Sequence, residues 1–426
     1  MFVRQIVQCV AYSSLLGVAM NAMNRAGAAE PAAVTPSTYE QDLKFLAAHT
    51  DVLELTNDFG GRVAICPLYQ GRVMTSTAQG MSGRSFGWIN RKFIASGEKD
   101  LVFNNYGGED RFWLAPEAGQ FALFFAPGAK QELANWRTLS GLNEGGFRLA
   151  SGRPEPFYRL TARRQLLNAS NTPFDIEINR VIRLVSPQQL GELLGKEAAA
   201  LVGDPKSSRV KTIGFSTENT ITNAGPPMTK EGGLVSIWTL GQFQPGLQTI
   251  ILIPYKAGDD AALGPVVTSD YFGAVPPERL KVLPSGVAFR GDGNFRAKIG
   301  ISPARAKPVG GSIDFANKIL TIVHYTLPAD AAQQLYINNA WDLPQTEPYK
   351  GDAFNSYNDG AAEPGAESLG GFYELETLSP ARPLATGDSL SHTHSTFHFQ
   401  GELEDLGALT KAILGIDLDD ILAAFP

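Results

Sequence analysis

Two carboxylates and three imidazoles near the C-terminus are the side chains whose types and spacing best suit chemistry. Glu374 and Glu376 stand two apart in a strand-like run that begins at Gly371. Strand side chains alternate, so both carboxylates face the same way. His392, His394 and His398 likewise share one face of a second run, with Phe397 and Phe399 on the other. Three of the chain's five histidines thus fall within one short stretch. A loop rich in Pro, Ala and Gly separates the two runs, which read as neighbouring strands. A carboxylate that takes a proton and an imidazole that gives one are the pair needed for acid–base work at a carbon. Two imidazoles aimed the same way by a His-x-His strand could instead hold a metal ion, with Glu376 completing the set. A third reading makes them a hydrogen-bonded wall.

The stretch from Asn104 to Glu117 is the second candidate. Glu109, Asp110 and Arg111 follow a Gly-Gly turn and precede Phe112 and Trp113. A sugar site needs this mixture: aromatic planes stack on the C–H face of a pyranose, while fixed carboxylates and guanidinium groups bind its hydroxyls. The structural alternative is an ion pair at a strand start beside a core tryptophan. Trp238 and Gln242, in the run Val235 to Phe243, either shape the same pocket or belong to the core.

These residues have to be positioned by strands. From Val52 onward the apolar pattern alternates with period two, and Gly-containing turns punctuate it. Roughly fifteen to twenty strands are expected, and packing sheet on sheet is the usual way to bury so many alternating faces. Phe157–Leu167 and Phe174–Val185 read as two long antiparallel strands. Arg180 interrupts the apolar stripe of the second, which implies a bulge or a structural ion pair. Four helices are expected at the periphery. One is capped by Ser37 or Thr38. One runs from Ser186 to Leu201. The last stretch, Leu403 to Phe425, reads as two short amphipathic helices covering a sheet face or edge. Asn338 to Gly370 is polar and reads as a long loop.

The chain's 426 residues are 43% hydrophobic and 19% charged, an ordinary globular composition. Residues 1–28 carry the marks of a secretory signal: Arg4, an apolar stretch from Ile6 to Met20, and Ala26-Gly27-Ala28 as the cleavage site. The expected location is therefore periplasmic or secreted. Residues 29–36 read as a Pro/Ala linker, 37–402 as the β domain, and 403–426 as a helical extension packed on it. Cleavage after Ala28 would take the formal charge from −7 to −9. That disfavours nucleic acid as a partner, since phosphate binding needs a basic patch. No stretch is long and apolar enough to span a bilayer. Cys66 would remain alone, so no internal disulfide is expected, and it reads as a buried small hydrophobe. No cofactor motif is present: there is no G-x-G-x-x-G, P-loop, G-x-S-x-G or C-x-x-C pattern.

The block Gly107-Gly-Glu-Asp-Arg-Phe-Trp-Leu-Ala-Pro-Glu117 and the His-Thr-His C-terminus resemble a bacterial secreted family of uncharacterised function. That family lies within the galactose-mutarotase-like superfamily, and the likeness spans about Thr38 to Pro426. The resemblance implies an all-β fold, a large antiparallel β-supersandwich with a few peripheral helices. Aldose epimerases place a glutamate base on a strand just before a Pro-containing loop, and Leu375 to Ala381 resembles that element. Glu376 matches the base, with Glu374 as its neighbour. The histidine acid of those enzymes has no counterpart in Val235–Phe243, which puts ordinary epimerase activity in doubt. His392 or His394 could supply the missing acid.

A carbohydrate ligand is therefore the expected partner. Glu376, His392 and His394 are the expected catalytic groups. Glu109, Asp110, Arg111, Trp113, Trp238, Gln242 and Glu374 are the expected binding groups. A non-catalytic sugar-binding protein and a metal-stabilised extracellular scaffold are the alternatives.

Overall fold

The computed structural model describes residues 36–138, 140–143, 145–150, 156–363 and 365–425. The expected secretory signal, and all but the last residue of the expected linker, lie outside them. Among the described residues there are eighteen strands, in antiparallel sheets of three, ten and five.

The five-stranded sheet runs, edge to edge, Ala297–Ile301, Phe354–Asn358, Tyr373–Leu378, Ser236–Phe243 and Arg111–Ala115. The ten-stranded sheet faces it and holds Ser389–Gln400 between Lys211–Asn223 and Ile319–Tyr325. Their facing sides share one apolar core that includes Leu375, Ile237, Ile299, Ile178, Ile221 and Val323. The structure is thus a large antiparallel β-sandwich with a few helices outside it.

Phe354–Asn358 is a correction to the sequence reading, which left Asn338 to Gly370 as loop. This strand has no apolar run to announce it. Its polar groups are satisfied locally instead: Ser356 Oγ donates to Glu374 O at 2.6 Å, and Asn358 Nδ2 donates to Phe295 O at 2.9 Å. Buried polar side chains are tolerated when each finds such a partner.

The long strands Phe157–Leu167 and Pro173–Leu184 pair in continuous register through Arg180. No bulge is present there. Arg180 is fully buried and pairs with Asp110, while its Nη1 donates to Asn219 Oδ1 at 2.6 Å.

Helices cover the outer face of the ten-stranded sheet. Pro187–Leu194 begins at a capping box between Ser186 and Gln189. The single helix expected here is two: Gly195 adopts φ +98° and breaks it, and Lys196–Val202 follows. Leu403–Leu414 and Leu418–Ala424 lay Leu406, Leu409 and Ile421 onto Ile313, Leu320 and Phe397. No described helix is long and apolar enough to cross a membrane. Tyr39–Ala47, capped by Thr38, packs beside the three-stranded sheet, where Cys66 is buried and its thiol pKa is pushed up by that burial.

Candidate functional site

The face of the five-stranded sheet turned away from the sandwich interior floors a cleft. Strand register sets its rows. Lys298 lies opposite Tyr357, Tyr357 opposite Glu374, and Glu374 opposite Gln242. In the next row Glu376 lies opposite Leu240, and Leu240 opposite Arg111. Trp238 lies opposite Trp113. All of these side chains line one cavity of about 530 Å³. Loops add Phe103, Asn105, Glu117, Trp136, Phe272 and Trp341 to its walls. Four of the chain's five tryptophans therefore face this space.

The charged groups on the floor hold one another. Glu376 Oε2 accepts from Lys298 Nζ and from Trp238 Nε1, each at 2.9 Å. Arg111 Nη2 donates to Glu374 Oε1 at 3.1 Å, and the guanidinium lies 4.0 Å from the centre of the Trp113 ring. Cation–π contact and a carboxylate together fix its plane. Trp136 Nε1 donates to Glu117 Oε1 at 3.2 Å, and Gln242 Nε2 to Asn105 Oδ1 at 3.2 Å.

Burial shapes the proton affinities. It raises Glu374, as does the neighbouring Glu376, while Arg111 opposes the rise; the net effect brings its pKa to about 7. Burial also raises Glu117. For Lys298 burial works against the charge, but Glu376 and Glu117 outweigh it and hold the ammonium above its ordinary range. Beside this group Asp352 is pushed up to about 6 by burial, against the hydrogen bond from Tyr271.

Several polar atoms of the floor have no partner although they are buried: Arg111 Nε and Nη1, Gln242 Oε1, Glu376 Oε1 and Trp113 Nε1. Leaving a buried polar group unmade costs roughly 1–3 kcal/mol. The cleft thus holds unmet donors and acceptors between aromatic planes.

Of the expected site residues, Arg111, Trp113, Trp238, Gln242, Glu374 and Glu376 come together here. His392, His394, Glu109 and Asp110 do not. The strands Tyr373–Leu378 and Ser389–Gln400 are not neighbours: the first pairs only within the five-stranded sheet and the second only within the ten-stranded one. The connecting loop crosses from one layer to the other. His392 and His394 therefore meet the inward face of the glutamate strand, where Thr377 Oγ1 lies 2.9 Å from His392 Nε2 and 2.9 Å from His394 Nδ1. Alternation puts Thr377 on the opposite side of its strand from Glu376. Neither imidazole can serve as the acid in the cleft, and Glu376 cannot complete a metal set with them. Among the described residues no group of three His, Cys, Asp or Glu side chains is arranged for a metal ion.

Alternation also parts the charged triplet. Arg111 and Trp113 face the cleft, while Asp110 turns inward to Arg180 and accepts from Thr217 Oγ1 at 2.7 Å. Glu109 precedes the strand, after the left-handed Gly107 and Gly108. It accepts from Ser76 N, from Ser76 Oγ at 2.8 Å, and from His398 Nε2 at 2.9 Å. Both carboxylates are fully buried.

Sequence reasoning passed over Lys298, Glu117, Trp136 and Trp341. A signal existed for Lys298: a lysine between Ala297 and Ile299 in a strand-like run is a charge forced onto a buried face. Glu117 closes the charged-aromatic block. The two tryptophans lie on loops, where pattern says nothing of direction.

Over residues 37–425 the chain matches the model of a family described as "Family of unknown function (DUF6786)". No curated protein matches it. Solved structures similar to it include the Slr1438 protein of Synechocystis sp. PCC 6803, at 11% identity and TM-score 0.45, covering 88% of this chain and 100% of that one. A candidate aldose 1-epimerase of Escherichia coli K12 has 11% identity and TM-score 0.47, covering 82% and 98%. A galactose mutarotase-like protein of Lactobacillus casei has 10% identity and TM-score 0.42, covering 82% and 100%. The last two are of the group that the sequence resembles. At such identities, function has to be argued from the cleft's own residues.

Proposed function

We propose, for a chain that belongs to the family of unknown function DUF6786, that it is a secreted or periplasmic protein whose cleft binds a saccharide and offers it acid–base chemistry. The observation that carries this is the set of unpartnered buried atoms on Arg111, Gln242 and Glu376 inside an aromatic-walled cavity. A sugar supplies what they lack: hydroxyls that both donate and accept, on a ring whose C–H face stacks on indole. Water would satisfy the polar atoms but would leave the half-buried rings of Trp136 and Trp341 without a partner in the cavity.

Glu376 takes the role of base. One of its oxygens is held by Lys298 and Trp238, which leaves Oε1 free to accept a proton from the sugar. The acid assigned from sequence to His392 or His394 passes to Glu374. With a pKa raised to about 7, it is partly protonated at neutral pH and can give a proton to a sugar oxygen. Isomerisation, elimination and glycoside cleavage all fit this pair.

The test is Glu376→Gln, which keeps shape and hydrogen bonding but removes the base. Turnover in reducing-end or lyase assays is expected to fall at least a hundred-fold, with sugar affinity by calorimetry within a few-fold. Unchanged turnover would remove Glu376 from the mechanism.

A second reading, binding without turnover, is favoured by the double engagement of Glu376 Oε2, which ties the base down. It predicts glycan-array hits with silent assays.

A further inference from the structure

The cleft changes character from floor to mouth. Its floor carries the charged and unpartnered groups, and the aromatic rings there are closed off: Trp113 is 3% exposed and Trp238 2%. Above them the wall continues through half-buried Trp136, whose ring centre lies 6.2 Å from that of Trp113, and ends at Leu133, which is 53% exposed. Across the opening, buried Tyr357 meets half-buried Phe272 edge-on at 6.1 Å, and Leu369, also 53% exposed, borders the same cavity.

The backbone around these leucines is anchored. Leu133 opens a short 3-10 turn whose carbonyl accepts from Trp136 N at 3.2 Å. Leu369 O accepts from Asn105 Nδ2 at 2.9 Å, and Asp359 Oδ2 accepts from the next two backbone amides, Gly370 N at 2.9 Å and Gly371 N at 2.8 Å. Two aliphatic side chains on anchored loops thus face water at the entrance to a polar-floored cavity. Leucine offers a sugar neither a hydrogen bond nor a π face. It gains by covering apolar surface, about 25 cal/mol for each Å² removed from water.

We infer that the natural ligand is a glycoside carrying an apolar aglycone: the sugar sits on the Arg111–Gln242–Glu374–Glu376 floor, and an aromatic or alkyl group leaves through the mouth between Leu133 and Leu369. This rests on the saccharide reading of the cleft and narrows it. A longer oligosaccharide is the competing guest, because Glu367 and Ser368 line the cavity beside Leu369, and competition with disaccharides separates the two.

The experiment uses the full mature chain and matched pairs of methyl and p-nitrophenyl glycosides of glucose, galactose, mannose and glucuronic acid, with cellobiose and maltose as competitors. For at least one sugar the aryl glycoside is expected to bind ten-fold or more tightly than its methyl partner. In the variant with Leu133→Ser and Leu369→Ser, both solvent-facing and outside the core, that ratio should drop below three while methyl glycoside affinity holds. Equal binding of the two partners overturns the aglycone assignment alone. So does a disaccharide that displaces the aryl ligand at lower concentration, or a ratio untouched by the double variant. If no glycoside of the panel binds, the saccharide reading falls with it.

Discussion

Thr377 carries one hydroxyl between two imidazoles, and that small feature decides what the histidines do. Burial lowers His392 to about 3 and His394 to about 4, so both are neutral in the folded protein at ordinary pH. The unfolded chain titrates them near 6.5. Their contribution to stability is therefore fully present above about pH 6.5 and is lost as pH falls toward 4 and then 3. The loss should be about 1.4 kcal/mol per pH unit for each imidazole over that window. Urea midpoints between pH 7 and pH 4 check this, and His392→Gln should remove one imidazole's share of the slope, about 1.4 kcal/mol per pH unit. Glu374 gives the opposite kind of signature. If its proton is used, turnover falls as pH rises through about 7, and Glu374→Gln removes that limb from the pH–rate profile. Asp110 is a structural anion. Asp110→Ala strands the buried Arg180 charge and should cost roughly 3–5 kcal/mol, read as a lower denaturation midpoint.

A single strand separates the two halves of this chemistry. Tyr373–Leu378 sends Glu374 and Glu376 into the cleft and Leu375 and Thr377 into the sandwich core. Its period of two was legible from sequence, and so was the shared face of the two glutamates. Its partner was not. Hydrogen-bonded pairing and face-to-face packing both bring strands close, and local pattern does not separate them; only the pairing of Ser389–Gln400 with Lys211–Asn223 does. The polar strand Phe354–Asn358 stayed invisible for a related reason, since its stability lies in bonds to other strands rather than in its own hydrophobicity. The C-terminal helices were legible as amphipathic, and they cover the outer face of the ten-stranded sheet. Leu406→Ala or Leu409→Ala, both fully buried there, should each destabilise the protein by roughly 2–5 kcal/mol by thermal or urea unfolding.

At the scale of the whole molecule, the ten- and five-stranded sheets enclose a core that also contains polar networks, and the cleft lies outside that core on the back of the five-stranded sheet. Glu109, His398 and Ser76 form one such network, Asp110, Arg180, Asn219 and Thr217 another. Both use residues whose composition suggests a catalytic site. Their burial and full pairing make them braces between layers. The cleft differs in that some of its buried polar atoms, on Arg111, Gln242 and Glu376, stay unpaired beside an open cavity.

The chain's alternating pattern, its turn residues and its helix caps determined on their own that this is an all-β sandwich with peripheral helices, because period and capping are local. They also determined that Glu374 and Glu376 share a face, and the same period of two puts Arg111 and Trp113 on one side of their strand. Only the tertiary structure decided that these two pairs, with Trp238, Gln242 and Lys298, meet in one hollow while the histidines turn to the other side of the same strand. Which layer a strand joins is set by contacts across hundreds of residues, and no short stretch of sequence carries that information.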